Sequence, residues 1–155
     1  MIPINRRMNE LRATEILKNS EYAVLSTVSK DNIPYGVAIN YFYVEEEKCL
    51  YFHTKKVGTK IDNIKNNPNV SLFILENQKV IPDRYITHYE SIIVTGKASI
   101  ILDEDEIRKK LILLCNKLAP DEMRRREEVI EKYIKAVCIC KIDIKNVTGK
   151  KNEDY

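Results

Sequence analysis

Short apolar runs that alternate with polar residues dominate this chain, and they predict a sheet rather than a bundle of helices. Turn-forming residues such as those of the 29–32 segment, Ser-Lys-Asp-Asn, separate the runs. Because successive side chains of a strand point to opposite faces, each run can bury one face against a core. The predicted strands span residues 22–28, 35–44, 49–54, 70–75, 90–102 and 136–144.

Four segments with apolar residues at helical spacing interrupt these strands. In the first, residues 8–19, Leu11, Ile16 and Leu17 are predicted to form the apolar side. The second covers residues 60–66 and ends before Pro68. Asp103 and the acidic residues after it predict the start of the third helix, and a fourth covers residues 120–133.

The remaining segments complete the predicted architecture. Residues 76–88 are expected to form a loop, and Gly96, in mid-strand, indicates a bulge or a close backbone approach. Hairpin-joined strands with few inserted helices predict a mostly β fold, an antiparallel sheet or small barrel with flanking helices. We expect one domain over residues 1–155, with a flexible polar tail at 147–155.

Composition excludes several classes of protein. The net charge of +3 comes from 26 basic and 23 acidic residues, a balance that argues against nucleic-acid binding. No apolar run approaches the roughly 20 residues of a membrane span, and no signal peptide begins the chain. A cytoplasmic location is therefore expected. Neither a G-x-G-x-x-G nor a P-loop motif occurs.

The cysteines do not predict a metal site. None of the four forms a C-x-x-C pair, and Cys138 and Cys140 are too close in sequence for typical zinc ligands. The chain has only two histidines to assist them. We expect reduced, buried cysteines that behave as small apolar residues.

The segment from residue 50 to residue 70 carries the most specific chemistry. A hydrophobic strand ends in His53 and Thr54, a loop carries Lys55 and Gly58, and a helix starts near Lys60. Amide groups and the dipole at a helix start favour an anion, and lysines neutralise its charge. This junction is therefore predicted to bind a phosphate.

Four sequence blocks together resemble the flavin-binding split-barrel family that includes pyridoxamine 5'-phosphate oxidase. They cover residues 22–28, 33–41, 50–60 and 89–97, and the resemblance extends over roughly residues 20–145. Within that family the chain is most similar to the nitroimidazole-resistance-type flavoproteins, because His53 fits their pattern.

The resemblance implies a six-stranded antiparallel split barrel that forms a homodimer with one FMN per subunit at the interface. It implies that Thr54 and Lys60 bind the FMN phosphate and that the 37–41 strand lies along the flavin. The 89–91 segment of the partner subunit would also reach this flavin. The implied cofactor-binding residues are Val37, Ala38, Ile39, Asn40, Tyr41, His53, Thr54, Lys55, Gly58, Lys60, Tyr89 and Ser91.

Departures from the oxidase pattern argue against pyridoxamine phosphate as the substrate. Glu90 and Ser91 stand where the oxidases have an Arg-Gln pair, and residues 144–155 lack their substrate-binding segment. The resemblance therefore implies an FMN-dependent oxidoreductase for a small acceptor such as a nitro compound, with His53 as the candidate catalytic residue.

Several alternatives remain open at this stage. The protein could be a non-catalytic redox carrier or sensor, or retain pyridoxamine phosphate oxidase-type activity. It could bind FAD, or haem through His53 or His88. His53 could instead be an ordinary strand-end histidine, and Asn40 could be satisfied by a neighbouring strand rather than by flavin.

Overall fold

We describe the fold from a computed structural model, which describes residues 3–153. Seven strands form one antiparallel sheet within these residues. The strands are β1 (Tyr22–Val28), β2 (Pro34–Asn40), β3 (Phe42–Val44), β4 (Cys49–Lys55), β5 (Asn69–Ile81), β6 (Ile86–Ile101) and β7 (Val137–Asn152). The helices are α1 (Glu10–Asn19), α2 (Thr59–Asn66), α3 (Glu104–Leu118) and α4 (Arg126–Tyr133). The predicted mostly β, antiparallel architecture with flanking helices is confirmed.

The strand order, β2-β1-β5-β6-β7-β4-β3, shows how the sheet curves. β2 and β3 lie at opposite ends of this order, yet only Tyr41 separates them in the chain. The two edges of the sheet must therefore meet, and the sheet rolls into a barrel. Because the predicted 35–44 strand divides at Tyr41, with β2 pairing to β1 and β3 to β4, seven strands are found rather than six.

Two predicted irregular segments are instead paired strands. β5 continues to Ile81 and β6 starts at Ile86, so the expected 76–88 loop is a hairpin arm with a short turn at its tip. The expected flexible tail is also wrong over residues 147–152, which pair with β6 as part of β7. Both segments are polar, but backbone pairing does not require apolar side chains. The last two residues of the predicted tail, 154 and 155, lie outside the described residues.

Helix boundaries and faces follow the sequence with two exceptions. The fourth predicted helix begins only at Arg126, after a short 3-10 turn. Leu11 is 79 % exposed, whereas Ala13, Ile16 and Leu17 are buried. At 3.6 residues per turn Leu11 lies about 140° around the helix from Ile16, outside the buried stripe.

Apolar side chains fill two regions of the fold. The barrel interior is packed by residues such as Leu25, Phe52 and Leu72, and α1 and α2 contribute to it. A second cluster lies between β4 and the α3–α4 pair. All four cysteines are free, and three of them are buried. Within residues 3–153 no helix is long and apolar enough to cross a membrane, and no metal-ligand cluster occurs.

Gly96 lies where the pairing of β6 with β7 shifts register, which confirms the bulge and close approach expected from the sequence. A Cβ atom built on Gly96 would clash with the Asp143 carbonyl oxygen and with the Ile142 side chain. The strands can therefore approach closely only because this position carries no side chain.

We predict that Gly96→Ala lowers the free energy of unfolding by about 1–3 kcal/mol, because the new methyl group meets backbone that cannot move aside. Urea denaturation of the purified variant measures this change. Gly36→Ala is the matched control, since the nearest atom to its added Cβ would be Val24 Cγ1 at an ordinary 3.5 Å. Equal stability of the two variants would contradict the prediction.

Candidate functional site

The junction between β4 and α2 brings three predicted residues into one small anion cradle, which we define as Thr54, Gly58 and Lys60. Thr54 lies near the end of β4, and the Lys60 ammonium donates a hydrogen bond to its hydroxyl oxygen at 3.1 Å. Gly58 caps the helix with φ of 125°, a conformation that side-chain-bearing residues rarely adopt. The cradle therefore combines a hydroxyl, an ammonium and the amide groups of a helix start.

His53 precedes the cradle and its side chain is exposed at the end of β4. Partial desolvation of the imidazole lowers the pKa of His53 below its ordinary value, and the positive charge of Lys60 lowers it further. A lowered pKa favours the neutral ring at pH 7, which can donate one hydrogen bond and accept another.

The two lysines of the loop differ in environment. Lys55 is the last residue of β4, and its side chain is exposed to solvent. Lys56 is half-buried, and its backbone amide donates to the Ala136 carbonyl oxygen at 3.4 Å. That contact ties the loop to the start of β7 and limits how far the cradle can open.

Only some side chains of the 37–41 segment, all five of which are implied flavin contacts, are accessible from outside the barrel. Ile39 and Tyr41 are buried in the barrel core, so only their backbone could meet a ligand. Ala38 is exposed, and Val37 and Asn40 are half-buried. The Asn40 amide donates to the Glu21 carbonyl oxygen at 3.2 Å, just before β1, so the neighbouring backbone supplies one of its partners.

Tyr89 and Ser91 lie far from the cradle within one chain. Thr54 pairs with Cys138, next to Ile139, whose partner on β6 is Ile101. Ser91 is ten positions earlier on β6, about 30 Å along an extended strand. Tyr89 and Ser91 instead line a cavity of about 410 Å³ on the outer face of the sheet.

Glu90 is fixed in a structural ion pair. Its side chain accepts two hydrogen bonds from the Arg12 guanidinium, at 2.8 and 2.5 Å, and a further one from Asn77. Arg12 is the main cause of the lowered pKa of Glu90, so the carboxylate stays ionised at neutral pH. This pair ties α1 to β6 and leaves Glu90 committed to internal contacts.

Two further polar residues near the cradle were not singled out from the sequence. Asn63 of α2 and Thr27 of β1 are both buried and hydrogen-bonded to each other. The signal available in the sequence was a polar residue, Asn63, between Ile61 and Ile64 of a short amphipathic helix.

Cys138, one of the buried cysteines, lies opposite Thr54 on β7. Its thiol donates to the Lys55 carbonyl oxygen at 3.7 Å. The neighbouring Cys140 thiol lowers the pKa of Cys138 to about 7, and the positive charges of Lys56 and Lys60 act in the same direction.

Solved structures share this fold. A candidate 5-nitroimidazole antibiotic resistance protein from Bacteroides thetaiotaomicron aligns with a TM-score of 0.78 and 22% identity, covering 95% of this chain and 90% of that one. The FAD and heme binding protein of Mycobacterium smegmatis gives a TM-score of 0.77 at 17% identity, over 97% and 75% of the two chains. At these identities the likeness defines a class of fold.

The family itself follows from sequence. The model of the family described as pyridoxamine 5'-phosphate oxidase matches residues 9–151, so the chain belongs to that family and the resemblance seen in the sequence is confirmed. A pyridoxamine 5'-phosphate oxidase homolog of Saccharomyces cerevisiae is 31% identical over 120 residues, which are 71% of this chain. The match covers 59% of the length of the yeast protein.

We predict that Lys60→Met raises the pKa of His53 in the ligand-free protein, because removal of a nearby positive charge favours the protonated ring. An NMR titration of the ring protons measures this, and only two histidines contribute signals. Lys65→Met, in the last turn of the same helix, is the matched control and should leave the titration unchanged. An unaltered His53 titration in Lys60→Met would mean that the ammonium does not act on this ring.

Proposed function

We propose that this protein is an FMN-dependent oxidoreductase that reduces a small acceptor such as a nitro compound. The observation that carries the proposal is the hydrogen bond between Lys60 and Thr54 at the start of α2. It places one cationic and one hydroxyl donor together at a helix N-terminus, a combination suited to a phosphate dianion.

The residues of the cradle fit the phosphate of FMN. Lys60 supplies charge, Thr54 supplies a hydroxyl, and no atom lies within 4 Å of a Cβ built on Gly58, so the loop is open on this side. A bound flavin would supply hydride or electron transfer, and the protein would bind and orient it. Relatives described as flavocytochrome and as FAD-binding proteins support a flavin, while the choice of FMN over FAD belongs to this proposal.

A homodimer is part of the proposal, because one chain cannot bring both groups of implied flavin contacts together. Tyr89 and Ser91 lie at the other end of β6 from the cradle. On the outer sheet face an apolar row, which we define as Ala38, Val24, Phe73 and Ile93, runs through paired positions of four strands. All four side chains are exposed in the single chain, as expected of a surface that a second copy covers.

Within this proposal His53 orients the acceptor. A neutral imidazole beside the positively charged Lys60 can donate a hydrogen bond to an acceptor oxygen without adding a second cation. The ion pair between Glu90 and Arg12 argues against pyridoxamine phosphate oxidase-type chemistry, since it places a committed carboxylate where the oxidases have an Arg-Gln pair.

A non-catalytic redox carrier or sensor is the second candidate. The observation that favours it is the pairing of residues 147–152 with β6, which uses the C-terminal part of the described chain for the sheet rather than for a substrate site. Stopped-flow reoxidation of the reduced flavin by nitro compounds and quinones separates the two candidates. Turnover supports the enzyme, and the absence of turnover with every acceptor supports the carrier.

We predict that Lys60→Ala weakens FMN binding by about 1.5–3 kcal/mol, the usual scale for a charge-assisted hydrogen bond. Fluorescence titration of the flavin-free protein measures the change as a loss of about 10- to 150-fold in affinity. Lys65→Ala should bind FMN normally. Unchanged affinity in Lys60→Ala would reject the phosphate site, and a Soret band in the purified protein would favour haem instead.

We predict that Ile93→Glu converts a dimer into a monomer, because it buries a charge without a partner in the apolar row. Light scattering at several protein concentrations gives the mass of each form. Leu113→Glu is the matched control, because Leu113 on α3 is 44 % exposed and Ile93 is 46 % exposed. A monomeric native protein, or a dimeric Ile93→Glu variant, would refute the proposed interface.

A further inference from the structure

A buried hydrogen bond joins α2 to the first strand of the barrel. The Asn63 side-chain amide donates to the Thr27 hydroxyl oxygen at 2.9 Å, and the two residues are 4 % and 1 % exposed. The Thr27 hydroxyl donates in turn to the Tyr35 carbonyl oxygen, at 3.5 Å, on β2. The chain of contacts therefore runs from the helix through β1 to β2.

This bond sets the orientation of α2 more narrowly than apolar packing does. Ile61 and Ile64 bury the same side of the helix, but apolar contacts have no preferred direction and tolerate small shifts. A buried amide without a partner is costly, whereas a hydrogen bond requires a defined distance and angle. The helix consequently has one favoured rotation, in which Asn63 meets Thr27.

The same rotation decides where Lys60 lies. Lys60 precedes Asn63 by three residues, so the two side chains are neighbours on the helix surface. Lys60 contacts Thr54 on β4, while Asn63 contacts Thr27 on β1. α2 has only eight residues and spans these two strands, so a shift at one contact moves the other.

We propose that Asn63 and Thr27 are positioning residues of the anion cradle, whose hydrogen bond holds α2 so that the Lys60 ammonium stays on Thr54. This inference rests on the proposed function in one respect, because it assumes that the cradle binds the FMN phosphate. The Asn63–Thr27 hydrogen bond would then support the preference for FMN over riboflavin, which lacks the phosphate. Neither residue touches the bound phosphate in this scheme.

The first test compares the binding of FMN and riboflavin. Thr27→Val keeps the shape of the side chain and removes the hydroxyl, and we expect FMN affinity to fall about tenfold, as when supporting residues of a ligand site are removed. Riboflavin affinity should not change, since it has no phosphate to lose. Thr27→Ser, which retains the hydroxyl, should restore the native ratio of the two affinities.

The second test needs no flavin. Lys60 lowers the pKa of His53, so an NMR titration of His53 in the flavin-free protein reports how close the ammonium remains. Thr27→Val and Asn63→Leu should raise this pKa in the direction expected for Lys60→Met. Asn66→Ala is the matched control, because the Asn66 amide lies on the same helix and bonds only to the Asp62 carbonyl oxygen among the contacts described.

A double variant separates positioning from stability. Replacing both partners of a buried hydrogen bond by apolar groups of similar shape can leave the free energy of unfolding nearly unchanged. Asn63→Leu combined with Thr27→Val should therefore fold well and still lose the preference for FMN. Retention of both the native FMN-to-riboflavin ratio and the native His53 titration in this variant would overturn the inference.

The outcomes distinguish this inference from the proposed function. A native protein that binds FMN no better than riboflavin overturns the phosphate site, and the His53 titration then still decides whether Asn63 and Thr27 position Lys60. A native preference for FMN and a native His53 titration that both survive in every variant leave the phosphate site intact and overturn the positioning role.

Discussion

The fold depends on one constraint, the closure of the sheet at Tyr41. β2 and β3 occupy opposite edges of the strand order, yet consecutive segments of chain form them. Tyr41 is fully buried, and its hydroxyl donates to the Leu17 carbonyl oxygen at 2.9 Å, so the crossing point is anchored to α1. The Lys117 ammonium lies 4.4 Å above the Tyr41 ring and donates to the Ser20 carbonyl oxygen, which adds a contact from α3. Tyr41 therefore lies where the two edges of the sheet meet, and it contacts both α1 and α3.

The closed barrel supports the anion cradle through the helix that follows β4. α2 follows β4 in the chain, and its Ile61 and Ile64 pack into the barrel core together with residues of β1 and β4. A short helix in this position has its N-terminus beside Thr54 and its buried side on β1. The strand end and the helix start are neighbours in the chain, and the closed barrel supplies the non-local contact that holds the helix in place.

The sequence carried the local part of this site and missed the non-local part. Thr54, Gly58 and Lys60 lie within seven residues, and their chemistry follows from short-range rules for helix starts. The contact of Asn63 with Thr27 joins residues 36 positions apart. A single polar residue in an amphipathic helix does not indicate which distant residue it will contact. The mostly β architecture could be predicted because alternation depends on side chains. The hairpin arm and the 147–152 strand could not, because their polar side chains resemble those of loops while their backbones pair.

The pairing of β4 with β7 has a consequence for the order in which the molecule can assemble. Thr54 pairs with Cys138, 84 residues further along the chain, whereas β1 and β2 form a hairpin from neighbouring residues. Long-range strand pairing is slow because the entropy cost of closing a large loop comes before any stabilising contact forms. During synthesis the strand end at Thr54 emerges from the ribosome well before its partner. We therefore expect the pairing of β4 with β7 next to the anion cradle to form late, although Thr54, Gly58 and Lys60 lie within seven residues of the chain.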